Sequence, residues 1–523
     1  MSNDVFAKAL KKTTDNKVVL TENGAVMFKT SSNKLVDCNF ALTSFRNKSE
    51  KDVIKEYSDA YYENKEYALR WLFMARDCRE GSGERRTFRI LFKWLASVDA
   101  ESVKKLIPVV AEYGRFDDLL CLFGTSLESD VVELFDEQIK ADMYSMKEGK
   151  PASLLAKWLP SCNTSSAESK ALARKIYKAL GISERDYRKT LSALRGYLDV
   201  VEVKASAKNW SAVDYERVPS MANIKYGKAF LRNDPERRRA FLEKLEKGEA
   251  KINASACFPS DIAYQYLKGT SGWNINLNKN PQLEAMWQSL PQIGCDDKNI
   301  ITVVDTSSSM SWQTCSPNSA IRPLDVAFAL GVYCSEHLKG PFKDKCITFN
   351  YKPEYIDMAG CGSLAEKLCV LSRSNVGGST NIEAVMDLIL KTAVDNKIEQ
   401  KDIPAVVILT DMGFNPSYMN GSSYTGGRYN EYSANTSALF VQIQKKYAAA
   451  GYVLPKVFFW NLNSRTQNQG IPIQQSSSGV GLVSGYSQNT VKMLLSDRLN
   501  PWDILKEQLD APRYTRISEI VNQ

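Results

Sequence analysis

Three short segments carry the side chains most able to do chemistry. Asp305-Thr306-Ser307-Ser308-Ser309 places one carboxylate and two spaced hydroxyls on one tight loop. Gly377-Gly378-Ser379-Thr380-Asn381 is a second loop that leads into a helix, and Leu409-Thr410-Asp411 ends a third apolar run. Asp305, Ser307, Ser309, Thr380 and Asp411 offer oxygen donors with little net charge. That donor set suits a hard cation that keeps open positions, Mg²⁺ or Mn²⁺. The set holds no nucleophile beside a base, so hydrolysis is not indicated and the chain is expected not to be an enzyme. The chain has one histidine, His337, which excludes zinc sites built on several imidazoles and lies in no triad or HExxH motif. His337 sits near the end of a predicted helix over 323–338, where it suits a surface or C-terminal dipole role.

The elements that must position these residues are strands alternating with helices. Strands are predicted at Ile300–Val304, Lys345–Phe349, Ala405–Leu409, Val457–Trp460 and Val480–Val483. Helices are predicted at 323–338, 363–371, 380–392, 435–449, 488–495 and 501–510. The alternation predicts a doubly wound, Rossmann-like α/β domain with a mostly parallel sheet. Its ligands would sit at the carboxyl ends of the strands, where all three loops fall. After Asp411 the stretch MGFNPSYMNGSSYTGGRYNEYSANT is rich in Gly, Ser, Asn and Tyr, and a partner-contacting loop is expected there.

The remainder of the 523 residues reads differently. Residues 1–45 are polar and turn-rich and predict an arm or short β-hairpin. From about residue 50 the pattern is helical. Apolar residues over 67–75 stop at Gly81-Ser82-Gly83, and a second helix carries Phe88, Leu91, Phe92 and Leu95, which makes an αα-hairpin. Further helical segments are predicted at 131–147, 152–159, 167–180, 184–194, 211–217, 223–232 and 235–247, in a loosely HEAT-like all-α stack. Asn, Gly, Pro and Trp punctuate a linker around 270–298. The expected organisation is an arm (1–45), a helical module (46–290) and an α/β domain (298–523).

Charge is unevenly spread. The chain holds 68 Lys+Arg against 60 Asp+Glu, a net +8. Residues 171–240 hold 16 basic and 8 acidic residues, which equals the whole excess. Tyr177, Tyr187, Tyr197, Trp210, Tyr215 and Tyr226 are interleaved. A polyanion with stackable bases would need this mixture, although a solvated helix face with core aromatics has the same composition. Charge alone selects Arg185, Arg188, Lys189, Arg195, Lys204 and Lys208 as candidate RNA contacts. The 11 cysteines contain no CxxC pair and read as free buried thiols of a reducing compartment. The sequence MSNDVFAKALKK lacks an apolar signal core, and no run of about 18 apolar residues occurs. A cytoplasmic, nuclear or host-intracellular protein without membrane contact is expected.

The three-loop constellation over 298–523 resembles the von Willebrand factor A domain and its metal-ion-dependent adhesion site. The resemblance implies that Asp305, Ser307, Ser309, Thr380 and Asp411 hold the ion directly or through water. It also implies that a protein partner's Asp or Glu completes the shell. A second resemblance rests on Arg76-Asp77-Cys78-Arg79-Glu80-Gly81-Ser82-Gly83-Glu84-Arg85, Tyr113-Gly114-Arg115-Phe116-Asp117-Asp118-Leu119 and Lys157-Trp158-Leu159-Pro160-Ser161. Tyr187-Arg188-Lys189, Val218-Pro219-Ser220 and Phe458-Phe459-Trp460-Asn461-Leu462 add to it. These are similar to plant, phage and large-virus proteins of undefined function related to the Ro ribonucleoprotein and its TROVE module. That similarity implies a ring of helical repeats binding small structured RNAs and single-stranded RNA ends. The alternative is an interaction module that binds an acidic partner through the cation and no RNA. Arg76, Asp77, Arg79, Glu84 and Arg85 themselves suit capping and pairing across the interhelical turn, and Arg115 with Asp117 and Asp118 suits an ion-pair set.

Overall fold

The computed structural model describes residues 18–293, 298–338, 340–349, 352–374, 380–415, 439–467, 470–473, 479–498 and 500–523. The chain forms two compact units that interleave in sequence. One is α/β and takes residues 1–48, 259–279 and 292–508. The other is helical and takes residues 49–258, 280–291 and 509–523.

The α/β unit is built on a six-stranded sheet. Its strands are β3 (Ile300–Asp305), β4 (Lys345–Phe349), β5 (Glu354–Asp357), β6 (Ala405–Thr410), β7 (Val457–Asn461) and β8 (Val480–Ser484), in the order β5-β4-β3-β6-β7-β8. All neighbours are parallel except β4 and β5. Every residue of β3, β7 and β8 is buried, as befits strands covered on both faces. Thr302 pairs Val407 and Cys346 on either side, which fixes the register that brings the ends of β3 and β6 side by side. The edge strand β5 is absent from the sequence expectation. Its four residues Glu-Tyr-Ile-Asp are partly exposed and carry no apolar run.

The interleaving corrects the expected boundaries at three places. Residues 18–48 are not an independent arm. Val18–Leu20 (β1) and Val26–Phe28 (β2) do form the antiparallel hairpin that the sequence suggests. The segment then seals the carboxyl edge of the sheet: Asn461 Nδ2 donates to the Phe40 carbonyl at 2.8 Å and Thr43 Oγ1 to the Asn463 carbonyl at 2.8 Å. Residues 259–279 leave the helical module. The helix Pro259–Leu267 packs on the helix Pro323–Glu336, and the Asn274 amide donates to the Ser372 carbonyl at 2.8 Å. The tail also departs from 298–523. Its helix Pro512–Asn522 packs on Lys65–Arg76, with Arg70 Nε donating to Ser518 Oγ at 2.7 Å and Arg513 paired to Asp77. In each case apolar faces and ion pairs far apart in sequence outweigh chain proximity.

In the helical unit the helices Glu50–Glu63, Lys65–Arg76 and Arg85–Val98 pack through an aromatic core of Tyr57, Trp71, Phe73, Phe88 and Phe92. Gly83 has φ +72°, and a Cβ there would meet the Phe258 ring at 2.8 Å, so only glycine fits this turn. The segment 211–217 is not a helix. It holds only the short 3₁₀ turn Trp210–Ala212. Its Val213 and Tyr215 are buried, so periodicity reflects packing rather than helix there. Among the described residues no helix is long and apolar enough to cross a membrane. The ten described cysteines are free.

Candidate functional site

Two places carry the candidate residues, one in each unit. In the α/β unit the carboxyl ends of β3 and β6 lie side by side, and Asp305 and Asp411 stand where each strand gives way to its loop. Asp305 is fully buried. Its Oδ2 accepts from Thr410 Oγ1 at 2.6 Å and its Oδ1 from the Ser307 amide at 2.9 Å. Ser307 Oγ and Ser309 Oγ are 3.0 Å apart, and Ser309 hydrogen-bonds Asp411. Asp411 is 1 % exposed, and its Oδ1 accepts from the Gly413 amide at 3.1 Å. The intervening Met412 is buried at φ +66°, a conformation that costs about 1 kcal/mol or more outside glycine and here turns the chain tightly behind Asp411. Thr380 joins this cluster through the segment after Asp411: the Asn415 amide donates to the Thr380 carbonyl at 3.0 Å.

The structure therefore brings Asp305, Ser307, Ser309 and Asp411 into one hydrogen-bonded cluster and ties Thr380 to the same loop. Gly377, Gly378 and Ser379 lie outside the described residues, as does most of the expected contact loop after Asn415. Burial raises both carboxyls above the usual range, and the neighbouring Asp305 charge raises Asp411 further. Thr380 Oγ1 is buried with no hydrogen-bond partner among the described residues. Asp305 without an ion-pair partner among the described residues, Asp411 beside it, paired serines and the buried Thr380 oxygen fit a hard oxygen-seeking cation. Among the described residues no group of three or more His, Cys, Asp or Glu converges, so any such site here is built mostly from hydroxyls.

One cation already reaches Asp411. Arg465, just beyond β7, pairs with Asp411 and with Glu22 of the β1–β2 turn. Sequence reasoning missed both residues. The one available signal was position, since Arg465 follows a predicted strand at its carboxyl end.

In the helical unit a groove of about 1630 Å³ is lined by Lys157, Trp158, Arg185, Arg188, Lys189, Arg195, Lys204, Arg217 and Lys225. Asp199, Glu202 and Asp214 are the acidic members of its lining. The helix Glu184–Tyr197 supplies half of the basic residues, Arg185, Arg188, Lys189 and Arg195. Ser183 caps it, and Tyr187, Leu191 and Leu194 form its buried stripe. That spacing turns Arg185, Arg188 and Lys189 to solvent, and all three are exposed. Arg195 lines the groove in a structural role. It donates to the carbonyls of Ala156 and Leu159 at 2.8 and 2.7 Å and to Ser161 Oγ at 2.6 Å. Lys204 is paired with Asp199 at 2.6 Å. Lys208 is exposed at φ +55° after the helix Val201–Ser206 and is not part of the lining.

The interleaved aromatics divide. Tyr187 and Tyr215 are buried, the latter against Phe230 and Phe241, so they belong to the core. Tyr187 also lines the groove, as does Trp158 from outside the 171–240 window, with the Arg115 guanidinium 3.8 Å over its ring. The family-like motif around Asp118 is structural: Arg76 and Arg89 both pair with this fully buried carboxylate, at 2.6 and 2.8 Å. Gly114 leaves room for that cluster, since a Cβ there would meet Asp118 Oδ2 at 2.5 Å. His337 caps its helix, with Nδ1 2.7 Å from the Tyr333 carbonyl.

Comparison with known proteins matches both units. A family model described as a domain of unknown function, DUF7788, matches residues 299–511. A second, described as a domain of unknown function, DUF2828, matches residues 21–110 and 182–293. The Ro (RSR) protein of Deinococcus radiodurans superposes with a TM-score of 0.43 at 14% identity, over 84% of this chain and 92% of that one. The Acanthamoeba polyphaga mimivirus protein designated Uncharacterized protein L728 is 28% identical over 532 residues, covering 94% of this chain and 87% of its own, so the likeness runs through both units.

Proposed function

We propose that this chain is a non-enzymatic RNA-binding scaffold whose basic groove takes the phosphate backbone of a small structured RNA or a single-stranded RNA end. The observation that carries the reading is the groove between Lys157 and Lys225, where basic residues outnumber acidic ones and Arg185, Arg188 and Lys189 are exposed. Exposed guanidinium and ammonium groups over a concave surface favour a polyanion, and the motifs resembling the Ro family point the same way. Filter binding to a structured RNA across a salt series tests it. The expected result is submicromolar binding at low salt, with log K falling by roughly 0.7–0.9 per phosphate contact for each decade of salt. A flat salt dependence with millimolar affinity would sink it.

A second reading concerns the α/β unit, and the Thr380 Oγ1, buried without a hydrogen-bond partner among the described residues, favours it. Asp305, Ser307, Ser309, Thr380 and Asp411 would hold Mg²⁺ or Mn²⁺ in the manner of a von Willebrand factor A adhesion site. The cation would supply a Lewis-acidic contact for a protein partner's Asp or Glu. Asp305→Ala and EDTA are each expected to abolish a partner complex and leave RNA binding intact. Pull-down partners unchanged by both treatments would end that reading.

A further inference from the structure

A single guanidinium connects the candidate cation site to the β1–β2 hairpin. Arg465 is anchored by its backbone, whose amide donates to Asn463 Oδ1 at 2.8 Å. Its side chain is 9% exposed. One Nη group donates to Asp411 Oδ2 and the other meets the Glu22 carboxylate. The turn that carries Glu22 is fixed to the segment following Asp411. Thr21 Oγ1 donates to the Phe414 carbonyl at 2.6 Å, and Asn23 Nδ2 donates to the Gly413 carbonyl. The turn is itself closed by the Gly24 amide donating to the Thr21 carbonyl at 3.0 Å.

Asp411 thus faces two claims. Its Oδ1 accepts from the Gly413 amide, and its Oδ2 is held by Arg465. A cation shared between Asp305 and Asp411 and a guanidinium on the same Asp411 would crowd two positive groups onto one buried carboxylate. Their repulsion is weakly screened there. Glu22 is the alternative counter-charge. Its side chain is 39% exposed against 2% for the side chain of Asp411, so holding the guanidinium there strips less water from a carboxylate.

We propose that Arg465 is a resident, transferable charge: it neutralises Asp411 while the site lacks its cation, and it passes to Glu22 when Asp411 is needed. The hairpin turn thereby sets the affinity of a site to which it contributes no ligand. This rests on the reading of Asp305, Ser307, Ser309, Thr380 and Asp411 as a cation site. Neutralising Glu22 leaves Arg465 no second carboxylate, which should weaken cation uptake. Neutralising Arg465 removes the competitor, which should strengthen it.

Calorimetric titration of Mn²⁺ into the full chain and into Glu22→Gln, Arg465→Met and the double variant tests the proposal. Glu22→Gln is expected to bind ~5-fold or more weakly and Arg465→Met ~10-fold or more tightly. The double variant should match Arg465→Met, because Glu22 acts only through the guanidinium. If Arg465→Met does not fold, Arg465→Lys replaces it as the background. A point ammonium cannot bridge both carboxylates as the planar fork does, so the Glu22→Gln effect should shrink there. An undiminished Glu22→Gln effect in either background, or equal affinity in all variants, overturns the transfer and leaves the cation reading standing. No Mn²⁺ uptake by any of the proteins overturns the cation reading and the transfer together.

Discussion

Asp118 in the helical unit and Asp305 in the α/β unit are both fully buried, yet their surroundings are opposite. Asp118 is gripped by Arg76 and Arg89 and accepts the Arg115 amide at 3.0 Å. Asp305 has a threonine hydroxyl and a serine amide for hydrogen-bond donors and no ion-pair partner among the described residues. A buried charge that is paired holds a scaffold together. A buried charge without an ion-pair partner costs the scaffold stability, and such groups cluster at functional sites. The same contrast separates Arg195, whose guanidinium is spent on three backbone and side-chain acceptors, from Arg188 on the same helix, which is exposed.

The largest expected effect tests the scaffold side. Asp118→Ala should lower stability by about 3–5 kcal/mol, because Arg76 stays buried with its counter-charge gone. Urea unfolding checks this, and a loss below about 1 kcal/mol would break the distinction. Next comes the groove. Reversing Arg185, Arg188 and Lys189 to Glu together should weaken RNA binding by ~100-fold at low salt and flatten the salt slope by roughly 2–3 units, with thermal stability unchanged. Equal losses at low and high salt would mean that these side chains act through folding.

Asp305→Asn should be nearly neutral or stabilising by about 1 kcal/mol in EDTA, since it removes a desolvated charge while its Oδ1 still accepts the Ser307 amide and its Nδ2 donates to the Thr410 hydroxyl oxygen. It should also lose all Mn²⁺-dependent stabilisation in a thermal-shift series. Strong destabilisation in EDTA would place Asp305 with Asp118. The smallest effect concerns Asp99. Burial raises its carboxyl, but hydrogen bonds from Lys65, Tyr61 and Ser102 outweigh this and hold it at about 2, against an ordinary 3.8. A depressed acid stabilises the fold at pH above its unfolded value, and the contribution vanishes as pH falls through about 2. The stability gap between the wild type and Asp99→Asn should therefore be full at pH 6 and close as pH falls from 4 to 2. A gap independent of pH would assign the effect to helix capping alone.

Much of the fold was legible. Lys345–Phe349 has the predicted bounds, and Ala405–Thr410 and Val457–Asn461 each extend the expectation by one residue. Dense β-branched runs between helices leave few alternatives. The edge strand Glu354–Asp357 was not legible, because a solvent-facing edge needs no apolar run. Among the site residues, Asp305, Ser307, Ser309, Thr380 and Asp411 stood out because three strand or helix ends carried hydroxyls and carboxylates together. Arg465 and Glu22 did not, since their pairing spans almost the whole chain.

By itself the sequence determined the elements, the two structural classes, and the residue types on each loop and helix face. Those follow from local propensity and from periods of 2 and 3.6, which neighbouring residues fix. Only the tertiary structure decided which charges are spent. Asp77 meets Arg513, and Asp411 meets Arg465 and through it Glu22, because sheet register and helix packing bring distant segments to contact distance. A carboxylate's worth depends on its desolvation and its partners, and neither is a property of the residue or of its neighbours in the chain.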